Sequence, residues 1–190
     1  MKRKIILASS SPRRIEMMKS HGFDPMICPA EIDETLPDGI GMRDAVMFLA
    51  LKKALAVEEK AEKGSVIIAA DTVVFKDGIL GKPEDREDAR RMLLKIRNTS
   101  HDVATGVAII TAGENVKQVF CDVTKVFCRD YTEEELNVYL NTEEPYDKAG
   151  AYAIQGIFSK YIDHYEGSYD TVVGFPIEQV KVRLIPMLED

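Results

Sequence analysis

The stretch Val66-Ile67-Ile68-Ala69-Ala70-Asp71-Thr72-Val73-Val74-Phe75 constrains this chain more than any other. A short apolar, β-branched run closed by the Asp77-Gly78 turn signal reads as a buried strand over Ser65–Phe75. One acid, Asp71, interrupts it. In α/β sheets ligands gather at the carboxyl ends of strands, where an Asp can bind a metal or act as a general base. A surface or turn-capping Asp is the ordinary reading of a lone acid. Here the strand pattern continues through Thr72-Val73-Val74-Phe75, which argues against that reading.

The rest of the chain alternates strand and helix signals. Basic-then-apolar Met1–Leu7 opens a first strand, centred on Lys4–Ala8. Ser11–Ser20 reads as a helix, Pro25–Cys28 as a short strand, Arg43–Lys63 as a long helix and Glu84–Arg97 as a third. His101–Thr111 and Val116–Arg129 look like an antiparallel hairpin around Ala112-Gly113-Glu114-Asn115. Thr132-Glu133-Glu134-Glu135 is a capping-box pattern that opens a helix to about Asn141. Ile157–Tyr165 reads as a strand and Ile177–Leu188 as a closing helix. Interleaved elements with a hairpin among them give an α/β (α+β) chain with a mixed sheet.

With 190 residues, 45% of them hydrophobic and 30% charged, the chain suits one domain or two small lobes. The longest apolar runs are far short of the ~20 residues of a membrane span. The N-terminal apolar stretch is too short for a signal peptide, so a cytoplasmic protein is expected. A net charge of -7 argues against a nucleic-acid or anionic-membrane surface and leaves room for a small polyanion where basic residues converge. The three cysteines, Cys28, Cys121 and Cys128, have neither disulfide nor zinc spacing and read as buried thiols. The three histidines enter no triad: His21 ends a helix, His164 lies on the surface and His101 is structural.

Four segments could converge on such an anion. Ser9-Ser10-Ser11-Pro12-Arg13-Arg14 follows a strand and opens a helix, with Ser11 as N-cap and Pro12 at the first helical position. Two arginines there oppose the helix dipole, and a phosphate would compensate them. A solvated arginine pair on an ordinary helix fits the same residues. On the long helix, Met42, Ala45, Val46, Leu49, Ala50 and Val57 form one stripe at ~100° per residue. Lys53 falls within that stripe and Lys52 at its flank, so the Lys53 ammonium must reach a carboxylate, a phosphate or solvent. Glu31, Asp33 and Glu34 form an acidic loop that, with Asp71, could hold Mg²⁺ or Mn²⁺; a solvated loop is the other reading, preferred for Glu31. Gly81-Lys82-Pro83 precedes a helix but is no P-loop. Asp147–Gly156 packs small residues around Gln155, whose amide offers both donor and acceptor to a nucleobase edge. From the residues alone a tight structural loop is the preferred reading of that segment.

Taken in order, these segments resemble the Maf family of nucleoside triphosphate pyrophosphatases. The matching pieces are Leu7–Arg14, Ile32-Asp33-Glu34, Lys53, Ala70–Val74, Gly81-Lys82-Pro83, Asp147–Gly156 and Val173-Gly174-Phe175-Pro176, which span essentially the whole chain. The resemblance implies an elongated, inosine triphosphatase-like α/β fold with a central cleft, residues 1–190 forming a single domain of two lobes, and often a homodimer. It implies hydrolysis of a non-standard or pyrimidine nucleoside triphosphate to the monophosphate and pyrophosphate with a divalent metal, Mg or Mn. It makes Asp71 the catalytic acid/base. The mechanism expected from these residues has Glu34 and Asp71 holding the metal and Ser9, Arg13, Arg14, Lys53 and Lys82 meeting the phosphates. Arg13, Thr72 and Gln155 match the dTTP/UTP type, whereas the 7-methyl-GTP type usually carries Trp, Gln and Glu at those places. A non-catalytic nucleotide-binding regulator of septum formation would need the basic residues but not Asp71. One difficulty is plain already: Thr72 adjoins Asp71 and should point to the opposite face of its strand.

Overall fold

A computed structural model describes residues 3–189 of the chain. Met1 and Lys2, read as the start of the first strand, lie outside the described residues. The strands are β1 (Ile5–Leu7), β2 (Met26–Ile27), β3 (Val66–Phe75), β4 (Ile79–Leu80), β5 (Ser100–Thr111), β6 (Lys117–Cys128) and β7 (Ile162–Glu166). They form one mixed seven-stranded sheet in the order β2-β1-β3-β5-β6-β7, with β4 paired to β3. The helices are α1 (Pro12–Ser20), α2 (Met42–Glu58), α3 (Arg86–Ile96), α4 (Glu133–Leu140), α5 (Tyr169–Val173) and α6 (Ile177–Leu188). The α/β reading with a mixed sheet and a β5–β6 hairpin is therefore the architecture found.

The chain divides into two compact units. The first comprises the chain up to Asp71, Thr105–Asp122 and the segment from Gly174 onward. There β1 runs parallel to both β2 and β3, with Ile5, Ile6 and Leu7 opposite Val66, Ile67 and Ile68. Strand alternation sorts β3 into two faces. Val66, Ile68 and Ala70 pack with Met18 of α1 and with Ile177, Val180 and Leu184 of α6. Ile67 and Ala69 pack with Ala50, Ala54 and Val57 of α2. Helix α2 lies against the sheet because residue 106 is glycine: a Cβ there would sit 2.4 Å from the backbone carbonyl of Val46.

The second unit comprises Thr72–Ala104 and Val123–Val173. Its core gathers Leu93 and Ile96 of α3, Leu136 and Tyr139 of α4, and the buried aromatic side chains Tyr152, Phe158 and Tyr161. The expected capping box opens α4: Thr132 Oγ1 accepts from the Glu135 N–H, and the Glu135 carboxylate accepts from the Thr132 N–H.

Three sequence expectations are corrected. Helix α2 stops at Glu58 instead of Lys63, because the charged tail Glu58-Glu59-Lys60 offers no further apolar stripe to bury. The stretch expected as a strand over Ile157–Tyr165 begins as a 3₁₀ helix, Ile157–Tyr161, and only then becomes β7. Its three-residue period places Phe158 and Tyr161 together in the core. Of the three thiols only Cys128 is buried; Cys28 and Cys121 are half-buried.

Candidate functional site

Asp71 owes its position to the alternation of β3. Following Ile67 and Ala69, it falls on the face covered by α2, and it is 8% exposed. From α2, Lys53 meets it: Nζ lies 2.6 Å from Asp71 Oδ1 and 2.7 Å from Glu34 Oε1. The core-facing ammonium thus finds two carboxylates, one on the strand and one on the acidic loop. Lys52, at the stripe's flank, donates to the Asp33 carbonyl oxygen instead. Asp33 accepts from the Thr35 N–H at 2.9 Å and from its hydroxyl at 2.6 Å, and these bonds hold its carboxyl below the usual range. Asp33 therefore shapes the loop that presents Glu34. Glu31 is exposed, as expected of a solvated acid.

At the opening of α1, Ser11 occupies the N-cap position with no side-chain cap bond, Pro12 starts the helix and the first turn carries no acid. Ser9 Oγ accepts from the Ser11 N–H and from the Arg14 guanidinium, each at 3.2 Å. Arg14 also donates to the carbonyl oxygens of Ala70 at 2.8 Å and Gly174 at 2.9 Å. Desolvation pushes its pKa down to about 10, against the pull of the Asp71 and Glu34 charges, so it is a cation at neutral pH. Arg14 therefore ties the residue before Asp71 to the α1 opening and to Gly174. The sequence signal was the charge itself; that backbone carbonyls take so many of its donors is a tertiary fact. Ser9 and Arg14 thus form one hydrogen-bonded set and Glu34, Lys53 and Asp71 another, the two meeting at the adjacent residues Ala70 and Asp71 of the first unit, and Arg13 shares the first turn of α1.

Thr72, Lys82 and Gln155 belong to the second unit. Strand β3 is unbroken through Thr72, so alternation keeps the Thr72 side chain on the face opposite Asp71. Lys82 and Gln155 are both exposed. The segment leading to Gln155 is fastened from several sides. The Gly150 N–H donates to the Gly81 carbonyl at 2.9 Å, next to Lys82. Gly150 adopts a φ of +68°, and a Cβ there would meet Val74 at 2.8 Å, so glycine serves both torsion and contact. The Tyr152 hydroxyl lies 2.6 Å from His101 Nε2, and Cys128 Sγ lies 3.9 Å from His101 Nδ1. Burial, aided by the Lys76 charge, pushes the His101 pKa down to about 3, and burial pushes the Cys128 thiol up to about 12. Both are neutral at pH 7, which fits the structural role expected for His101.

The residues also fit a hard divalent cation. Two carboxylates already share one positive charge, and oxygen donors of that kind, completed by phosphate and water oxygens, are what Mg²⁺ and Mn²⁺ take. Among the described residues no third His, Cys, Asp or Glu joins them in a metal-holding group.

A Maf-like protein family model matches residues 4–186. The chain belongs to this family. Similar Maf-like chains include the dTTP/UTP pyrophosphatase of Desulfitobacterium hafniense, 44% identical over 96% of this chain and 84% of that one. The dTTP/UTP pyrophosphatase of Pelotomaculum thermopropionicum is also 44% identical, over 98% of this chain and 96% of the relative. Among solved structures, the Staphylococcus aureus Ham1 protein superposes with a TM-score of 0.55 at 15% identity, covering 97% of this chain and 99% of that one. That likeness is one of fold. No helix among the described residues is long and apolar enough to cross a membrane.

Proposed function

We propose that this chain is a nucleoside triphosphate pyrophosphatase that hydrolyses dTTP and UTP, and related modified pyrimidine nucleotides, to the monophosphate and pyrophosphate. The observation that carries the reading is the Asp71 carboxylate, held at a nearly buried point of β3 and paired with Lys53 beside Glu34. The similar dTTP/UTP pyrophosphatases, matched over nearly the whole chain, support the substrate class. The family model runs without interruption through residues of both units, which supports their working as one domain.

In this reading the triphosphate lies at the α1 opening, where the positive end of the helix dipole, Ser9 and Arg13 favour an anion. Arg14 supplies positive charge there while holding the Ala70 carbonyl. Asp71 orients the attacking water and accepts its proton. The water oxygen bonds to one phosphorus of the α–β anhydride, the bond from that phosphorus to the bridging oxygen breaks, and the monophosphate and pyrophosphate separate. Lys53 sets its positive charge between Asp71 and Glu34 and fixes the direction in which Asp71 points. A bound Mg²⁺ or Mn²⁺, held by Asp71 and Glu34, would neutralise phosphate charge and polarise phosphorus. Positioning and charge stabilisation carry most of phosphoryl transfer, so one acid and a set of cations are sufficient equipment. Lys82 is taken to meet phosphate, and the family resemblance gives Thr72 and Gln155 to base choice. Gln155 suits that role because one amide can pair with both a carbonyl and an imide N–H of thymine or uracil.

The test is pyrophosphate release from a panel of nucleoside triphosphates, with and without Mg²⁺ or Mn²⁺. Preferred turnover of dTTP and UTP is expected. Preference for 7-methyl-GTP would move the chain to the other substrate type, and no release from any nucleotide would leave a binding protein.

A further inference from the structure

Gln155 lies outside every helix and strand, is exposed, and has no hydrogen bond to its amide among the described residues. An amide on irregular chain can discriminate bases only when the backbone beneath it is already ordered, since a mobile segment adapts to either base. One side chain adds to that order next to Gln155 itself. Glu144 Oε2 accepts from the Ile157 N–H at 2.7 Å, and Oε1 accepts from the Phe158 N–H at 3.2 Å. These are the first two amides of the 3₁₀ helix that begins just after Gln155-Gly156. The Tyr139 hydroxyl lies 3.0 Å from Glu144 Oε1 and 3.1 Å from the Ala151 carbonyl oxygen, its single hydrogen shared between those acceptors. The carboxylate is therefore connected to the chain on both sides of Gln155. Residue 156 has no side chain because the carboxylate fills its place: a Cβ there would lie 2.1 Å from Oε2.

We propose that Glu144 is a positioning residue for base selection, holding the backbone on either side of Gln155 while touching neither base nor phosphate. The inference rests on Gln155 being the base reader in the proposed pyrophosphatase. A bidentate carboxylate on two amides is a strong, charge-assisted anchor, and it links two sites that sequence order does not pair. It also explains Gly156: a methyl group there displaces the flexible end of Glu144 and breaks the anchor from the other side.

The experiment measures kcat/KM for dTTP and CTP on the full chain and reads their ratio. Folded fraction cancels in that ratio, so a merely structural carboxylate does not move it. Gln155→Ala should lower the dTTP/CTP ratio at least about tenfold, as expected for a lost polar base contact. Glu144→Ala and Gly156→Ala should each lower it in the same direction by at least about threefold, since a displaced reader loses part of the same discrimination. Glu144→Gln, keeping one acceptor oxygen, should fall between Glu144→Ala and wild type. The Glu144→Ala/Gly156→Ala double variant should be no less selective than either single one, because both remove one anchor. An unchanged ratio in Glu144→Ala and Gly156→Ala, beside a collapsed ratio in Gln155→Ala, overturns the positioning role and leaves the base reader standing. An unchanged ratio in Gln155→Ala overturns both. Should Glu144→Ala fail to fold, Gly156→Ala and Glu144→Gln decide the matter by the same ratios.

Discussion

At the scale of single residues, the balance of charge around Asp71 is what the chemistry depends on. Asp71→Asn keeps shape and volume but removes the negative charge that orients water and takes its proton. Hydrolysis should be abolished with far-UV circular dichroism unchanged; near wild-type turnover would show that Asp71 has been given the wrong role. Lys53 and Lys52 are adjacent in sequence and opposite in consequence. Lys53 faces two carboxylates from the core side of α2, whereas Lys52 donates to the Asp33 carbonyl oxygen. Lys53→Ala leaves Asp71 and Glu34 side by side without their counter-charge. Its kcat/KM should fall at least about tenfold, with Lys52→Ala close to wild type, because hydrogen bonds to charged groups are worth roughly 1.5–3 kcal/mol. Equal losses in steady-state assays of the two variants would contradict the α2 geometry. The lysine phase was legible in the helical periodicity. That its ammonium meets Asp71 and Glu34 was not, because periodicity gives the direction of a side chain and not what waits at its end.

At the scale of elements, two packing contacts decide how firmly the site residues are held. Helix α2 rests its backbone on β5 at Gly106, so a side chain there cannot be absorbed by a rotamer change. Gly106→Ala should cost about 1–3 kcal/mol of stability by overpacking, and should lower kcat/KM because α2 carries Lys53. Melting and kinetics of the purified variant check both; an unchanged melting temperature would mean α2 yields freely. In the second unit, His101 stays neutral inside the core with Tyr152 and Cys128. Burial lowers its pKa to about 3 from the ordinary 6.5. Between those values the unfolded chain binds a proton that the folded chain refuses. Stability is therefore complete above pH 6.5 and declines as pH falls toward 3, by at most about 1.4 kcal/mol per pH unit from this group. His101→Gln, which cannot titrate, should lose less stability than wild type between pH 7 and pH 5 in urea denaturation. The 3₁₀ helix at 157–161 was hidden from sequence reading because the Glu144 carboxylate that opens it comes from a distant turn.

At the scale of the molecule, a chain of net charge -7 is proposed to bind a polyanion, which works only if cations are local and a bound divalent ion helps. Chelation with EDTA should abolish pyrophosphate release, and added Mg²⁺ or Mn²⁺ should restore it in wild type but not in Asp71→Asn. Full activity in EDTA would remove the metal from the proposal. The amino-acid order alone determined the sheet-forming runs, the α4 capping box, the hairpin, the phase of α2 and the family, because these depend on neighbours a few residues apart or on an ordered set of motifs. Only the tertiary structure decided that Arg14 braces Ala70 and Gly174, that Lys53 joins Asp71 to Glu34, that Gly106 admits α2, and that Glu144 anchors the chain around Gln155. Each of these contacts joins residues far apart in the chain. Such pairs meet through burial of apolar faces, and that depends on the whole core at once and leaves no local pattern to read.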